Sequence, residues 1–429
     1  MNFLIGSMKH HINGHKELTS YKDVVPFFNS SKLYIPLFHA NAKIEVLVEE
    51  GAFIKVGTLL AQRNDHFYVP FYSSCSGTFK GIEKRAHSSG KMIEHLVIEN
   101  DQKFEEEQNL SKLDYKKASI QEIVDFIKEK GIVGQGGAGF PTYIKYNGAK
   151  GIHTLIINAV ECEPYITADY VSMINSLEFF KDGLLALLKA STANVCKLCI
   201  KEDKKDLINK LKDVFKENPE VLITPVPNVY PMGWERTLIY QVTKKRYEKL
   251  PSELGVIVSN ATSAIAFGKA LNTGIPITTS VVTFSGDAIN NPSNVVCPIG
   301  TVVSEVIDSL GGLSTENAQI ISGGPMMGSS LSSDAFVVAP TTNAITLLKY
   351  NEVKELDCLR CGLCVDNCPS GLQPVNLNQA EKTKDIEALE KLRYDQCIEC
   401  GLCTYVCPSK RSVTEGIRRA KRYMALKKK

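Results

Sequence analysis

CLRCGLCVDNCP at residues 358–369 is echoed by CIECGLCTYVCP at 397–408, which sets Cys358, Cys361, Cys364 and Cys368 in register with Cys397, Cys400, Cys403 and Cys407. Both runs read C-x2-C-x2-C-x3-C-P and end on Pro369 and Pro408. That is the spacing of paired 4Fe-4S sites, in which three thiolates of one run and the last thiolate of the other hold each cube. By this rule Cys358, Cys361, Cys364 and Cys407 hold one cluster, and Cys397, Cys400, Cys403 and Cys368 hold the other. Zinc is the competing reading of any C-x2-C. Zinc sites use four local ligands in two pairs, often mixed with His, whereas here the fourth Cys of each run stands before Pro and no His is near. Gly362 and Gly401 follow the second Cys of each run and let the backbone close around an inorganic core.

The remaining composition sets limits. A chain of 429 residues, 44% hydrophobic, is long enough for two to four domains. Net charge is only +3, so the molecule as a whole is no nucleic-acid binder. From Lys410 to Lys429 nine Lys or Arg stand against the single Glu415, which leaves the rest net acidic. That tail reads either as a landing site for an acidic partner or an anionic membrane surface, or as a solvated helix end. The five other cysteines, Cys75, Cys162, Cys196, Cys199 and Cys297, are odd in number and irregularly spaced, which argues for a reducing compartment. No apolar run approaches a membrane span, and MNFLIGSMKHH is too short and polar for a signal peptide. The expectation is a cytoplasmic protein, soluble or peripheral on the inner face of the cell membrane.

Taken in order, residues 1–30 are a polar, irregular extension. Its histidines, His10, His11 and His15, have no Cys or carboxylate ladder beside them. Residues 31–110 alternate in short runs punctuated by Gly51, Gly57, Gly77 and Gly81, the pattern of a compact β sandwich or barrel. This stretch resembles the hammerhead of biotinyl and lipoyl carriers, but its central hairpin, Arg63-Asn64-Asp65-His66, has no Lys to modify, so the unit reads as structural. A charged linker, DQKFEEEQNLSKLDYKK, follows, then a helix with Ile120, Ile123, Val124 and Ile127 on one face.

That helix leads into GIVGQGGAGFPT at 131–142. Its glycines let backbone N–H groups approach an anion, and Pro141 and Thr142 suit the first turn of a helix whose dipole adds positive potential. Lys145 lies one turn on. The apolar strand LIINAV at 155–160 then ends in ECEPYIT, and carboxylates at the carboxyl edge of a strand stand where α/β sheets place ligands. The same residues also read as a helix-cap turn followed by an acidic surface loop. Later, Asn194 to Ile200 and Val221 to Pro227 read as strands. Cys196 and Cys199 on the first of these are either a redox pair or, because strand periodicity sends them to opposite faces, two structural thiols.

Two stretches, G-x-x-G-x-G-G-A-G-F-P-T-x-x-K-Y and I-N-A-x-E-C-E-P-Y-I-T-x-D, resemble the flavin and NADH core of the RnfC family in the Rnf electron-transport complex. They are more distantly similar to the FMN-bearing subunit of respiratory complex I. The resemblance implies that Gly134, Gly136, Gly137, Ala138, Gly139 and Lys145 bind FMN, and that Asn158, Glu161 and Glu163 contact FMN and NADH. Two more patches match the same family. YPMGWERTLI at 230–239 adds Glu235 as a candidate, and VSNATSA at 258–264 adds Asn260. Trp234 and Ser263 stand where the family usually has Gly and Thr, and the Trp234 indole offers a ring for stacking. Residues 275–348 resemble the β-grasp domain that follows this core, with Gly323, Gly324, Pro325 and Gly328 as turn residues.

The implied architecture is multidomain α/β. It comprises an N-terminal extension at 1–30, a lipoyl-like barrel-sandwich at 31–110, a Rossmann-like FMN and NADH core at 118–272, a β-grasp unit at 275–348, and a helical two-cluster ferredoxin module with its basic tail at 352–429. The implied cofactors are two 4Fe-4S clusters, FMN and NAD(H), with no side chain acting as nucleophile. The expected activity is NADH oxidation through FMN, single electrons then leaving through the clusters. A relay or scaffold subunit with a degenerate nucleotide site is the alternative. The family usually opens with a G-G-x-H-P-P-type motif, and HINGHKEL at 11–18 replaces it here. That departure points toward soluble members such as cobalamin reductase or the electron-transfer protein of D-proline reductase, so the partner is either membrane Rnf subunits or a soluble reductase.

Overall fold

The computed structural model describes residues 6–427 apart from 39–42, 136 and 138, so two of the glycine-loop candidates, Gly136 and Ala138, lie outside the described residues. Thr154–Ala159 is apolar toward both faces, as a strand covered on both sides must be, and Leu155, Ile156 and Ile157 are fully buried. It pairs in parallel with Val195–Lys201 on one side and Val256–Asn260 on the other, and Val221–Val226 completes a four-stranded sheet. The first three strands run outward in sequence and the fourth crosses back, so the order reverses between Thr154–Ala159 and Val256–Asn260. At such a reversal a crevice opens beyond the carboxyl ends of the strands. Asn158 and Asn260 are register partners across it.

Helices Ile120–Glu129, Leu177–Ser191 and Ala261–Thr273 cover one face of this sheet, and Glu235–Thr243 covers the other. Cys196 packs beneath the first group, while Cys199 packs into the opposite layer with Val229, Leu238 and Ile239. Strand alternation has separated the two thiols, so they form no pair.

The sandwich has two antiparallel sheets. One comprises Lys32–Pro36, Met92–Asn100, Gly77–Ala86 and Phe53–Ile54; the other comprises Ile44–Val46, Leu59–Asn64 and Tyr68–Tyr72. A second mixed sheet has the order Val25–Pro26, Ser293–Pro298, Thr279–Ser285, Ala344–Lys349, Ala318–Ser322, Ser329–Leu331. Leu33, Leu60, Phe71 and Phe79 of the sandwich share one core with Val282, Phe284, Val295 and Phe336 of this sheet.

The N-terminal stretch, irregular in sequence, is woven through the molecule. Val25–Pro26 forms the edge of the mixed sheet, His10 bridges to Tyr230, and Gly14 accepts the Tyr165 N–H through its carbonyl. Single bridges of this kind leave no periodicity to read.

The cysteine-rich end folds around Leu372, Leu377, Leu389, Ile417, Ala420 and Met424. Its two runs are conformational copies. Gly362 lies at φ 78°, ψ −11° and Gly401 at φ 80°, ψ −13°, a left-handed conformation open to glycine. The Arg360 N–H reaches the Cys358 sulfur at 3.4 Å, and the Glu399 N–H reaches Cys397 at the same distance. The basic tail is the helix Val413–Lys427, but several of its charges turn inward. Arg418 and Lys421 pair with Glu399, and Arg419 pairs with Glu381.

Candidate cofactor cavity and cysteine foursomes

A cavity of about 450 Å³ opens at the strand-order reversal, within the range of small-molecule sites. Its walls include Gly137, Asn158, Glu161, Glu163 and Asn260, so five of the sequence candidates meet there. Asn158 fixes its floor: the side-chain amide donates to the Gly233 carbonyl at 2.9 Å, and its oxygen accepts the Val160 N–H at 3.0 Å. Gly233 is needed at that point, because a Cβ there would fall 2.3 Å from the Val160 carbonyl oxygen. Asn260 caps the helix Ala261–Thr273 by accepting the Thr262 N–H at 2.8 Å.

Three carboxylates crowd the wall. Glu161 accepts the Asp169 N–H at 2.9 Å and pairs with Lys16 at 3.3 Å. Glu163 accepts the N–H groups of Met326 and Met327 at 3.2 and 2.7 Å, drawing the mixed sheet's glycine-rich loop over the cavity. Burial pushes the carboxyl of Glu163 up to about 7 against those bonds, and burial followed by the charge of Glu161 does the same for Asp169. Glu163 Oε2, Asp169 Oδ1 and Trp234 Nε1 are shut away from solvent without a hydrogen-bond partner among the described residues. All three residues line this one cavity. Buried polar atoms left open in this way mark a place built for a polar ligand. A flat, heteroatom-rich ring such as a flavin fits that donor and acceptor set.

The other candidates stand farther off. Gly134 donates its N–H to the Phe140 carbonyl, closing the loop through a Val133–Pro141 bridge, and Gly139 lies at φ 67° beside Thr341. The following helix, Tyr143–Tyr146, is a single turn, so the dipole expected there is small. Lys145 turns to the Val258 carbonyl at 2.8 Å, and burial holds its ammonium below the ordinary lysine range despite Glu235 nearby. Glu235 accepts the Tyr247 hydroxyl at 2.9 Å. Neither Lys145 nor Glu235 lines the cavity.

Sequence reasoning did not nominate Lys16, which comes from the extension, or Ser263, which holds the glycine loop through Gln135 N–H and the Val133 carbonyl. Asp169 is the last residue of the second quoted motif and so was in plain view. Met326 and Met327 act through their backbone, which leaves no side-chain signal.

Cys397, Cys400 and Cys403 line one small apolar cavity together with Cys368, as the crossed spacing expects, in company with Leu372 and Ile417. Cys368, Cys400 and Cys403 are only 8%, 7% and 8% exposed. Four sulfurs around one apolar void suit a cube, whose irons each take a separate thiolate. Among the described residues no three His, Cys, Asp or Glu side chains converge on a single-ion site. The other set differs in setting. Cys358 and Cys361 are exposed, Cys364 and Cys407 half-buried, and Leu359 beside them is 68% exposed. The inner foursome touches the large cavity's wall, since Cys400, Ile398 and Leu402 pack with Tyr230, Cys162 and Trp234.

A reversed-order parallel sheet with an acidic crevice, joined to a mixed sheet and a two-run cysteine module, defines a class: electron-transport proteins that combine an FMN-binding domain with a 4Fe-4S domain. Models of known families match unit by unit. The RnfC barrel sandwich hybrid domain matches residues 9–103, the Nuo51 FMN-binding domain 127–268, the SLBB domain 281–329 and the 4Fe-4S dicluster domain 357–411. The first match starts within the woven N-terminal stretch.

The RnfC-type component of the proton-translocating ferredoxin:NAD(+) oxidoreductase complex of Clostridium ljungdahlii is 34% identical over 377 residues, covering 86% of this chain and 82% of that one. Its counterpart in the Na(+)-translocating ferredoxin:NAD(+) oxidoreductase complex of Acetobacterium woodii is 33% identical over 404 residues, covering 90% of each. The chain belongs to the RnfC family. Among solved structures, an NAD+-reducing NiFe hydrogenase in its H2-reduced state superposes with a TM-score of 0.51 at 16% identity, over 72% of this chain and 62% of that one, which is a likeness of fold. Among the described residues no helix is long and apolar enough to cross a membrane.

Proposed function

We propose that this chain exchanges electrons with NAD(H) through an FMN held in the acidic cavity, and passes them singly through two 4Fe-4S clusters to a partner protein. Bound FMN supplies the conversion between a two-electron hydride donor and one-electron carriers. The observation that carries the reading is the adjacency of the cavity wall to the inner foursome, with the other foursome at the surface. On this reading Gly134, Gly136, Gly137, Ala138 and Gly139 present backbone to the flavin and Asn158 and Asn260 fix the strand ends. Glu161 and Glu163 orient nucleotide. Lys145 and Glu235 act from behind the wall, Lys145 by its positive field. Cys368, Cys397, Cys400 and Cys403 hold the inner cluster, and Cys358, Cys361, Cys364 and Cys407 the outer one. The units run over 31–110, 118–272, 275–348 and 352–429.

Relatives named as subunits of ion-translocating complexes favour membrane Rnf-type partners and a peripheral position at the membrane. Purification under anaerobic conditions tests the assignment. It should yield about one FMN and about eight irons per chain, with membrane subunits in the same fractions. Iron without flavin would reduce the chain to a relay, and a soluble reductase in place of membrane subunits would move it to the soluble branch.

A further inference from the structure

Trp234 belongs to two cavities at once. It lines the acidic cavity with Asn158, Glu163 and Gly233, and it lines a second opening of about 440 Å³ with Cys397, Glu399, Arg418 and Lys421. Its ring packs on the group formed by Tyr230, Ile398, Cys400 and Leu402. The indole is therefore the partition between the flavin cavity and the inner foursome.

A second observation points to a ligand. Trp234 Nε1 is closed off from solvent and has no acceptor among the described residues. Leaving a buried N–H unmade costs on the order of 1–3 kcal/mol. Water does not relieve it, because the atom is not exposed. The backbone around it is already committed: Trp234 N–H donates to the Pro231 carbonyl at 3.1 Å, and the Trp234 carbonyl accepts from Leu238 at 2.8 Å and from the Thr237 hydroxyl at 2.8 Å. The ring is thus held in place at the head of the helix Glu235–Thr243, with its polar edge left open.

The geometry points to Trp234 as a contact residue for the flavin ring: the indole holds the ring against the wall nearest the inner cluster and donates its N–H to an acceptor atom of the ring. Flavin offers both requirements, a flat aromatic face and carbonyl or ring-nitrogen acceptors at its edge. This inference rests on the flavin reading above.

Trp234 is the chain's one tryptophan, so its signals are unmixed. The test uses the full chain freed of flavin and titrated with FMN, comparing wild type with Trp234→Phe, which keeps an aromatic ring against Cys400 and removes the N–H. Three quantities are read: FMN affinity, the visible circular dichroism of bound flavin, and iron content. A fourth needs no variant: the ultraviolet resonance Raman band of the indole N–H before and after FMN is added. We expect Trp234→Phe to weaken FMN by about fivefold to tenfold, to change the flavin dichroism and to leave iron unchanged. The indole band should move to its hydrogen-bonded position as FMN binds to wild type. Equal affinity and dichroism in the two proteins, or an indole band that stays put while FMN binds, overturns the inference. Loss of iron without change at the flavin would make Trp234 a packing residue of the cluster loop and also overturns it. If wild type takes up no FMN, the flavin reading itself falls and takes this inference with it.

Discussion

The Tyr230 hydroxyl donates to the backbone carbonyl of Cys400 at 2.7 Å, tying the cavity wall to the inner foursome through a single buried bond. Removing the hydroxyl leaves that carbonyl without its donor, a cost of about 1–3 kcal/mol. Tyr230→Phe should retain flavin and lose the inner cluster to an iron chelator several times faster, followed by visible absorbance. Unchanged chelation kinetics would show that the cluster loop does not depend on this bond.

The crossed ligand sets predict that damage travels away from the substituted run. Cys368 shares its cavity with Cys397, Cys400 and Cys403. Cys368→Ala should therefore abolish the low-temperature EPR signal of the cluster held by the 397–403 run and leave that of the 358–364 run. The opposite loss would refute the crossing.

A pH dependence follows from the two buried carboxyls. Glu163 and Asp169 keep their protons up to about pH 7, because burial penalises the charged form. Free carboxyls titrate near 4. Between those values the folded chain binds more protons than the unfolded chain. Their contribution is therefore complete below about pH 4 and is lost as pH rises through about 7. The melting temperature of flavin-free protein should fall from about pH 5 to about pH 8. Glu163→Gln with Asp169→Asn should flatten that fall, a difference of order 2–3 kcal/mol at the upper end. A double variant as pH-sensitive as wild type would contradict the assignment.

Lys16 and Glu161 form a pair whose side chains are 13% and 10% exposed. Breaking one side of a buried pair leaves the other charge uncompensated, at about 3–5 kcal/mol. Lys16→Met should lower the melting temperature by several degrees, and adding Glu161→Gln should restore much of the loss, since the amide oxygen still accepts the Asp169 N–H. Strictly additive losses would mean the two side chains act independently.

These relationships mark the boundary of what was legible in the sequence. The cysteine spacing, the apolar strand before Glu161 and the alternating runs of 31–110 each carry a period or a motif, and each forms the element expected. The opposed faces of Cys196 and Cys199 follow from period two alone. What the sequence concealed lies in long-range and backbone contacts. Lys16 reaches Glu161 across 145 positions, the Met326 and Met327 amides close the cavity without using their side chains, and Val25–Pro26 joins a sheet through two residues. The glycine loop shows the same limit. Its composition promised an anion site headed by a helix, and the chain supplies one helical turn and a lysine bonded to Val258.

The most direct test of the whole account is anaerobic mixing of the purified protein with NADH while flavin and cluster absorbance are followed together. The account predicts that the flavin band bleaches first and the broad cluster absorbance follows, as electrons leave the cavity for the inner and then the outer foursome. Flavin and clusters that stay oxidised in excess NADH would contradict it.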